Sequence, residues 1–137
     1  MSDADTTSVD RIDDEEVVYR RVPQEPPFHK PDNWLTTANF DLDSRQNELG
    51  VSVYRRILRS ADDVMRDRPG CFLVSATVGE IRTLKNGKGE PLHLDVVADI
   101  DSNNPGHAEI QSPTAGHLSR AARKALRDLF AKSRIGD

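Results

Sequence analysis

One stripe of helical spacing closes the chain: Leu118, Ala122, Ala125, Leu126, Leu129 and Phe130 recur three and four residues apart over 118–131. That spacing predicts an amphipathic helix whose apolar side needs a surface to cover. Upstream, the apolar residues come in short runs or alternate with polar ones, which is the pattern of strands. Strands are predicted at 17–22, where Pro23 ends the run, at 34–40 and at 49–54. The run 71–78 is the most apolar and reads as a central strand. Asn86-Gly87 tolerates a tight turn, so 79–84 and 90–98 read as a hairpin, with Pro91 near its edge. The segment 107–110 reads as an edge strand paired with the preceding one. Between strands, Ser60 caps a short helix, Asp62 and Asp63 lie near its positive end, and Pro69-Gly70 stops it.

Strands followed by a terminal helix exclude alternating βαβ units. The expected fold class is α+β, a mostly antiparallel sheet of about five to six strands, with a short middle helix and the C-terminal amphipathic helix packed on it. At 137 residues with 5% aromatics and 31% charged residues, the chain has room for one core of Val, Leu, Ile and Ala and none for a large enclosed cavity. The net charge of −4 is uneven, because residues 1–16 carry seven acids against one base. A segment with so little to bury cannot offset its ordering entropy, so 1–16 is expected to be a disordered acidic tail and 17–137 a single domain.

No stretch reaches the roughly 20 apolar residues of a membrane span, and the acidic start is unlike a secretion signal. Cys71, the lone cysteine, excludes an internal disulfide framework and reads as a small buried hydrophobe. The expected location is a reducing cytoplasm.

Two histidines carry the chemistry worth following. In His93-Leu94-Asp95 and His107-Ala108-Glu109, strand periodicity puts each imidazole on the same side as its acid. If the segments pair, His93, Asp95, His107 and Glu109 form a divalent-metal set, or His107 and Glu109 serve as acid and base. The same alternation also describes a solvated sheet face. His29 and His117 fall in loops and read as surface or capping residues. Ser52, Ser75 and Ser112 lack the glycine-flanked strand-to-helix turn of a nucleophile elbow, which disfavours a serine triad. Asn86-Gly87-Lys88-Gly89 lacks the spacing of a phosphate loop.

Basic residues offer two anion sites. The runs at 18–22 and 53–57 are similar and read as neighbouring strands, yet alternation sends Arg20 and Arg21 to opposite faces, so at most one of each pair can serve a given site. The terminal helix carries Arg120, Arg123, Lys124 and Arg127, a stripe suited to phosphates, although no aromatics interleave it.

The succession YRRVP, ANF, LGVSVYRR, ATVGEIR and NPGHAEI resembles a family of small uncharacterised bacterial proteins. The resemblance covers most of the domain and implies bacterial origin and a shared fold, and it draws attention to His107. A fainter likeness to small ADP-ribosyl-transferring or NAD-consuming toxin domains implies a dinucleotide held by Arg20 or Arg21, Thr36 or Thr37, and Glu109, though without the aromatics that would sandwich nicotinamide.

Three functional expectations follow. The first is a non-catalytic binding or accessory module contacting another bacterial protein. The second is a small enzyme or metal-dependent site at His93, Asp95, His107 and Glu109. The third is nucleic-acid binding through the basic helix. No cofactor is assigned.

Overall fold

Order begins before the first predicted strand. The computed structural model describes residues 11–41, 50–66, 68–99, 106–113 and 118–135, and in it the segment 11–16 is packed against the sheet. Ile12 lies in the core. The Glu16 carboxylate meets the Arg55 guanidinium at two points, Nε to Oε1 at 2.9 Å and Nη2 to Oε2 at 2.8 Å. Composition assigned 11–16 to the tail, whereas a partner 39 residues away orders Glu16. Residues 1–10 lie outside the described residues.

Six strands make one antiparallel sheet in the order β4-β5-β2-β1-β3-β6. They are β1 (Val17–Val22), β2 (Val51–Arg55), β3 (Phe72–Thr77), β4 (Asp95–Ala98), β5 (His107–Gln111) and β6 (Arg134–Ile135). Helix α1 is Ala61–Arg66, α2 is Val78–Arg82 and α3 is Arg120–Phe130. The class is α+β, with a C-terminal helix on the sheet. The similar runs 18–22 and 53–57 do meet, Val18 opposite Arg55 and Tyr19 opposite Tyr54. Strand β5 pairs with β4 as expected but also with β2, so it is interior and β4 is the edge.

Strand alternation sorts the side chains onto two faces. Val18, Val22, Val51, Val53, Val74, Val96 and Ile110 point to one, where Ala122, Leu126, Leu129 and Phe130 of α3 cover them and Phe40 stacks on Phe130 at 5.6 Å. Ser119 caps α3, its Oγ accepting from the Ala122 N–H at 3.1 Å. On the other face a smaller cluster of Tyr19, Tyr54, Val64 and Leu73 forms under α1, which leaves part of that face uncovered.

Two predicted strands are not strands. Residues 34–40 end in a 3₁₀ turn at Thr37–Phe40. Here Thr36 Oγ1 donates to the Pro27 carbonyl at 2.6 Å, and Asn39 Nδ2 donates to Phe28 O and Thr36 O. These local bonds satisfy carbonyls that a ladder would otherwise have to pair. The first arm of the predicted hairpin is helix α2. Thr77 and Glu80 form a reciprocal capping box, and the Val78 and Gly79 N–H groups donate to Glu16 O and Asp14 O. The turn itself is real: Asn86 Oδ1 accepts from the Lys88 and Glu90 N–H groups.

The capping box gives a first prediction. Hydrogen bonds to the Glu80 carboxylate, first from the Thr77 N–H and then from its hydroxyl, hold its pKa below the ordinary 4.5. A depressed carboxyl stabilises the fold above its unfolded pKa, and that contribution is lost as pH falls through the folded one. Glu80→Gln is expected to cost up to about 1 kcal/mol at neutral pH. In melts recorded from neutral pH downward, the gap between wild type and variant should close below about pH 4.5; a gap that widens there would refute the assignment.

Candidate functional site: a serine, histidine and aspartate chain

His107 opens strand β5. Gly106 before it has φ +80, and a Cβ at that position would come within 3.1 Å of Arg59 Cγ, so the turn into the strand suits glycine. The register sets Tyr54 of β2 opposite His107 and Ser52 opposite Glu109. All four point to the face that α3 does not cover. The imidazole bridges two partners: Nδ1 lies 2.8 Å from Asp99 Oδ2, and Nε2 lies 2.9 Å from Ser52 Oγ. A carboxylate has no proton to offer, so Nδ1–H donates to Asp99, and in the neutral ring Nε2 accepts from the Ser52 hydroxyl. Asp99 is held where β4 ends, its N–H donating to the His107 carbonyl at 3.1 Å.

The His107 side chain is 13% exposed and that of Asp99 36%, so the chain of bonds is shielded at the imidazole and open at the acid. The Tyr54 ring meets His107 edge-on at 5.9 Å. Tyr54 is fixed in turn by Arg21, whose Nη2 donates to its hydroxyl at 2.6 Å, and the Arg21 and Arg59 guanidiniums lie 4.7 and 5.0 Å from the ring centroid. Asp63 accepts from Arg59 Nε at 2.9 Å.

Ser52 also lines a cavity of about 280 Å³ together with Arg20, Arg21, Pro23, Phe28, Asn39, Tyr54, Arg68 and Cys71. The opening exists because β1 and β2 part company. Only two residue pairs join them, whereas β1 runs alongside β3 for six. Arg20 fills the fork, donating to the Ser52 carbonyl through Nη1 at 2.6 Å and to the Asn39 carbonyl through Nε at 3.0 Å. Alternation does send Arg20 and Arg21 to opposite faces, but a fork is open to both, so the two border one cavity.

The predicted metal set does not assemble. His93 precedes β4, exposed and with φ +56. Asp95 pairs with Arg82 at 2.8 Å. It stands opposite Gln111, four residues along β5 from His107 and so roughly 13 Å away. Glu109 accepts from Gln111 Nε2 at 3.1 Å. Among the described residues no three His, Cys, Asp or Glu side chains gather closely enough to hold a metal ion. Arg82 also pairs with Asp14 at 2.7 Å. Burial works against its charge, and the bonds to Asp14 and Asp95 more than offset it, so its pKa moves up. Both acids border a wider, shallower groove of about 520 Å³ between 11–15 and β4, which contains neither Ser52 nor His107.

The other sequence candidates scatter. Arg123 pairs with Asp41 and Arg127 with Asp128, which offsets half the charge of the predicted stripe, while Arg120 and Lys124 are exposed. Thr36 is buried and bonded to loop carbonyls, and Thr37 begins the 3₁₀ turn, so neither occupies the strand that the dinucleotide likeness requires. His29 donates through Nδ1–H to the Trp34 carbonyl at 3.0 Å and packs edge-on against Phe72 at 5.1 Å. His117 lies outside the described residues. No described helix is long and apolar enough to cross a membrane.

Sequence reasoning reached His107 but missed both its partners. Ser52 lacks a glycine-flanked turn, and Asp99 falls outside every strand predicted from the sequence. The available signal was parity: between inward-facing Val51 and Val53, Ser52 must point to the opposite face. No family model, curated protein or solved structure matches the chain, so its chemistry rests on its own geometry.

Proposed function

We propose that the chain is a small hydrolytic enzyme with Ser52 as nucleophile, His107 as general base and Asp99 as the group that orients His107. The observation that carries this reading is that both ring nitrogens of one imidazole lie within 2.9 Å of a hydroxyl and a carboxylate. A serine hydroxyl is a weak nucleophile until a positioned base takes its proton. Attack of Ser52 Oγ on an ester carbonyl passes that proton to His107 Nε2, the imidazolium is stabilised by Asp99, and the proton then goes to the departing alkoxide. Water, deprotonated by the same imidazole, cleaves the acyl-serine and restores the hydroxyl. Expected in a screen of p-nitrophenyl esters is turnover that falls at least about a hundredfold in Ser52→Ala with the fold unchanged. Equal rates in wild type and variant would end the proposal.

A second reading, a protein-binding module, is supported by the exposed apolar side chains of Ile57, Leu58 and Val97, the last on edge strand β4. Edge strands and apolar patches are common docking elements. The readings separate cleanly: partner capture lost in Val97→Lys but retained in Ser52→Ala supports binding through the edge, and loss in neither removes that surface.

A further inference from the structure

The register of β2 and β5 sets a carboxylate beside Ser52 for which ester cleavage itself has no role. The Arg55 N–H donates to the Gly106 carbonyl at 2.9 Å, which makes 55 and 106, 53 and 108, and 51 and 110 the hydrogen-bonded pairs of these strands. Ser52 and Glu109 are therefore a non-hydrogen-bonded pair, the kind whose Cβ atoms approach to about 4.5–5.5 Å. Both point to the face that α3 leaves open. Glu109 is half-buried, and its Oε1 accepts from Gln111 Nε2 at 3.1 Å. Gly50 lets that amide lie close, since a Cβ there would fall 2.8 Å from Gln111 Cγ. A neutral amide steadies the carboxylate without cancelling its charge. The acids at the two ends of β4 are engaged, Asp95 with Arg82 and Asp99 with His107, whereas among the described residues Glu109 meets no cation. Val97, opposite Glu109 in β4 and 41% exposed, extends this surface as an apolar ledge.

We infer that Glu109 selects a cationic substrate: the ester cleaved by Ser52 carries an ammonium on the carbon next to its carbonyl, as an α-amino ester does. In such an ester the nitrogen lies about 2.5 Å from the carbonyl carbon. That separation lets the carbonyl face Ser52 Oγ while the ammonium reaches the Glu109 carboxylate at the distance of a charge-assisted hydrogen bond. The remainder of the acyl group then lies toward Val97. An acyl group with a carboxylate in the ammonium's place meets a like charge and is disfavoured. The inference rests on the hydrolytic reading for the cleavage step, while recognition of the cation stands on Glu109.

The test compares the p-nitrophenyl esters of alanine, of propionic acid, its uncharged counterpart, and of succinic acid, whose free carboxylate makes it anionic. The full-length protein is assayed at low salt, and each kcat/KM is divided by that ester's spontaneous rate of hydrolysis, because the ammonium itself activates the alanine ester. Expected is a corrected preference for the alanine ester over the propionate of at least about tenfold, with the succinate poorest, and a collapse of that preference in Glu109→Gln. Binding is read separately in Ser52→Ala, titrated with alaninamide and propionamide and followed by amide NMR shifts. Saturable shifts near Gly50 and Glu109 are expected with alaninamide alone, and they should vanish when Glu109→Gln is added. Turnover without the alanine preference, or with a preference that survives Glu109→Gln, would overturn this inference and spare the hydrolytic reading. Alaninamide binding that depends on Glu109, in a protein that cleaves none of the esters, does the reverse; neither turnover nor binding defeats both.

Discussion

Replacing Glu16 with alanine is expected to destabilise the protein by about 3–5 kcal/mol, a large part of what a domain of this size possesses. The reason is where the change leaves Arg55. The two side chains are 9% and 1% exposed and meet at 2.8 Å, and Arg55 projects from β2 onto the same face as Val51 and Val53. Removing the carboxylate takes away the acid that meets Arg55 at two points in a place that water barely reaches, and breaking a buried pair from one side costs more than the modest net value of the pair itself. A double variant, Glu16→Leu with Arg55→Met, should therefore recover much of the loss, because apolar groups of similar volume remove the desolvation penalty together with the attraction. Urea-unfolding midpoints at matched slope decide the matter. A loss below about 1 kcal/mol for Glu16→Ala would mean that the pair behaves as a surface salt bridge and that 11–16 adds little to the fold.

Asp99→Asn is expected to lower the ester-cleavage rate by about 10²- to 10⁴-fold while leaving the melting temperature nearly unchanged. The carboxylate and the amide have the same shape, but an amide nitrogen facing Nδ1 donates where the carboxylate accepts. The imidazole then carries its proton on Nε2, which faces Ser52 as a donor and cannot take the hydroxyl proton. His107→Ala should fall by a similar factor, and the double variant should be little worse than either single one, because residues acting as a unit are not additive. Independent, multiplying losses would show that Asp99 and His107 do not work together.

The elements that could be read from the chain are those whose signal is local. Leu118, Ala122, Leu126 and Phe130 declare α3 by spacing alone, Ser60 marks the start of α1, and Val51 and Val53 fix both the existence and the inward face of β2. Where the reading failed, a distant or more specific bond decided the outcome. Acid content alone made 11–16 a tail, since nothing near it in sequence announces Arg55. The Asn86-Gly87 turn suited a hairpin with 79–84 as its first arm, although Thr77-x-x-Glu80 is a capping box and favours the helix that forms. For the site, His107 was legible as an unusual residue on a strand, yet its acid partner by parity, Glu109, is not the one it uses. Asp99 reaches it through the pairing of β4 with β5, and Ser52 through the pairing of β2 with β5 across 55 positions. Periodicity gives the face of a strand, but not its neighbour.

The claim at the centre of this account is that the Ser52 hydroxyl is activated by His107. Treating the full-length protein with a fluorophosphonate and locating the adduct by peptide mass spectrometry tests it directly, because such reagents capture a serine whose proton a neighbouring base can accept. The account predicts one phosphonyl group per chain, on Ser52, absent in Ser52→Ala and slowed at least about a hundredfold in His107→Ala. An unlabelled wild type, or a label on another residue that survives both substitutions, would contradict it.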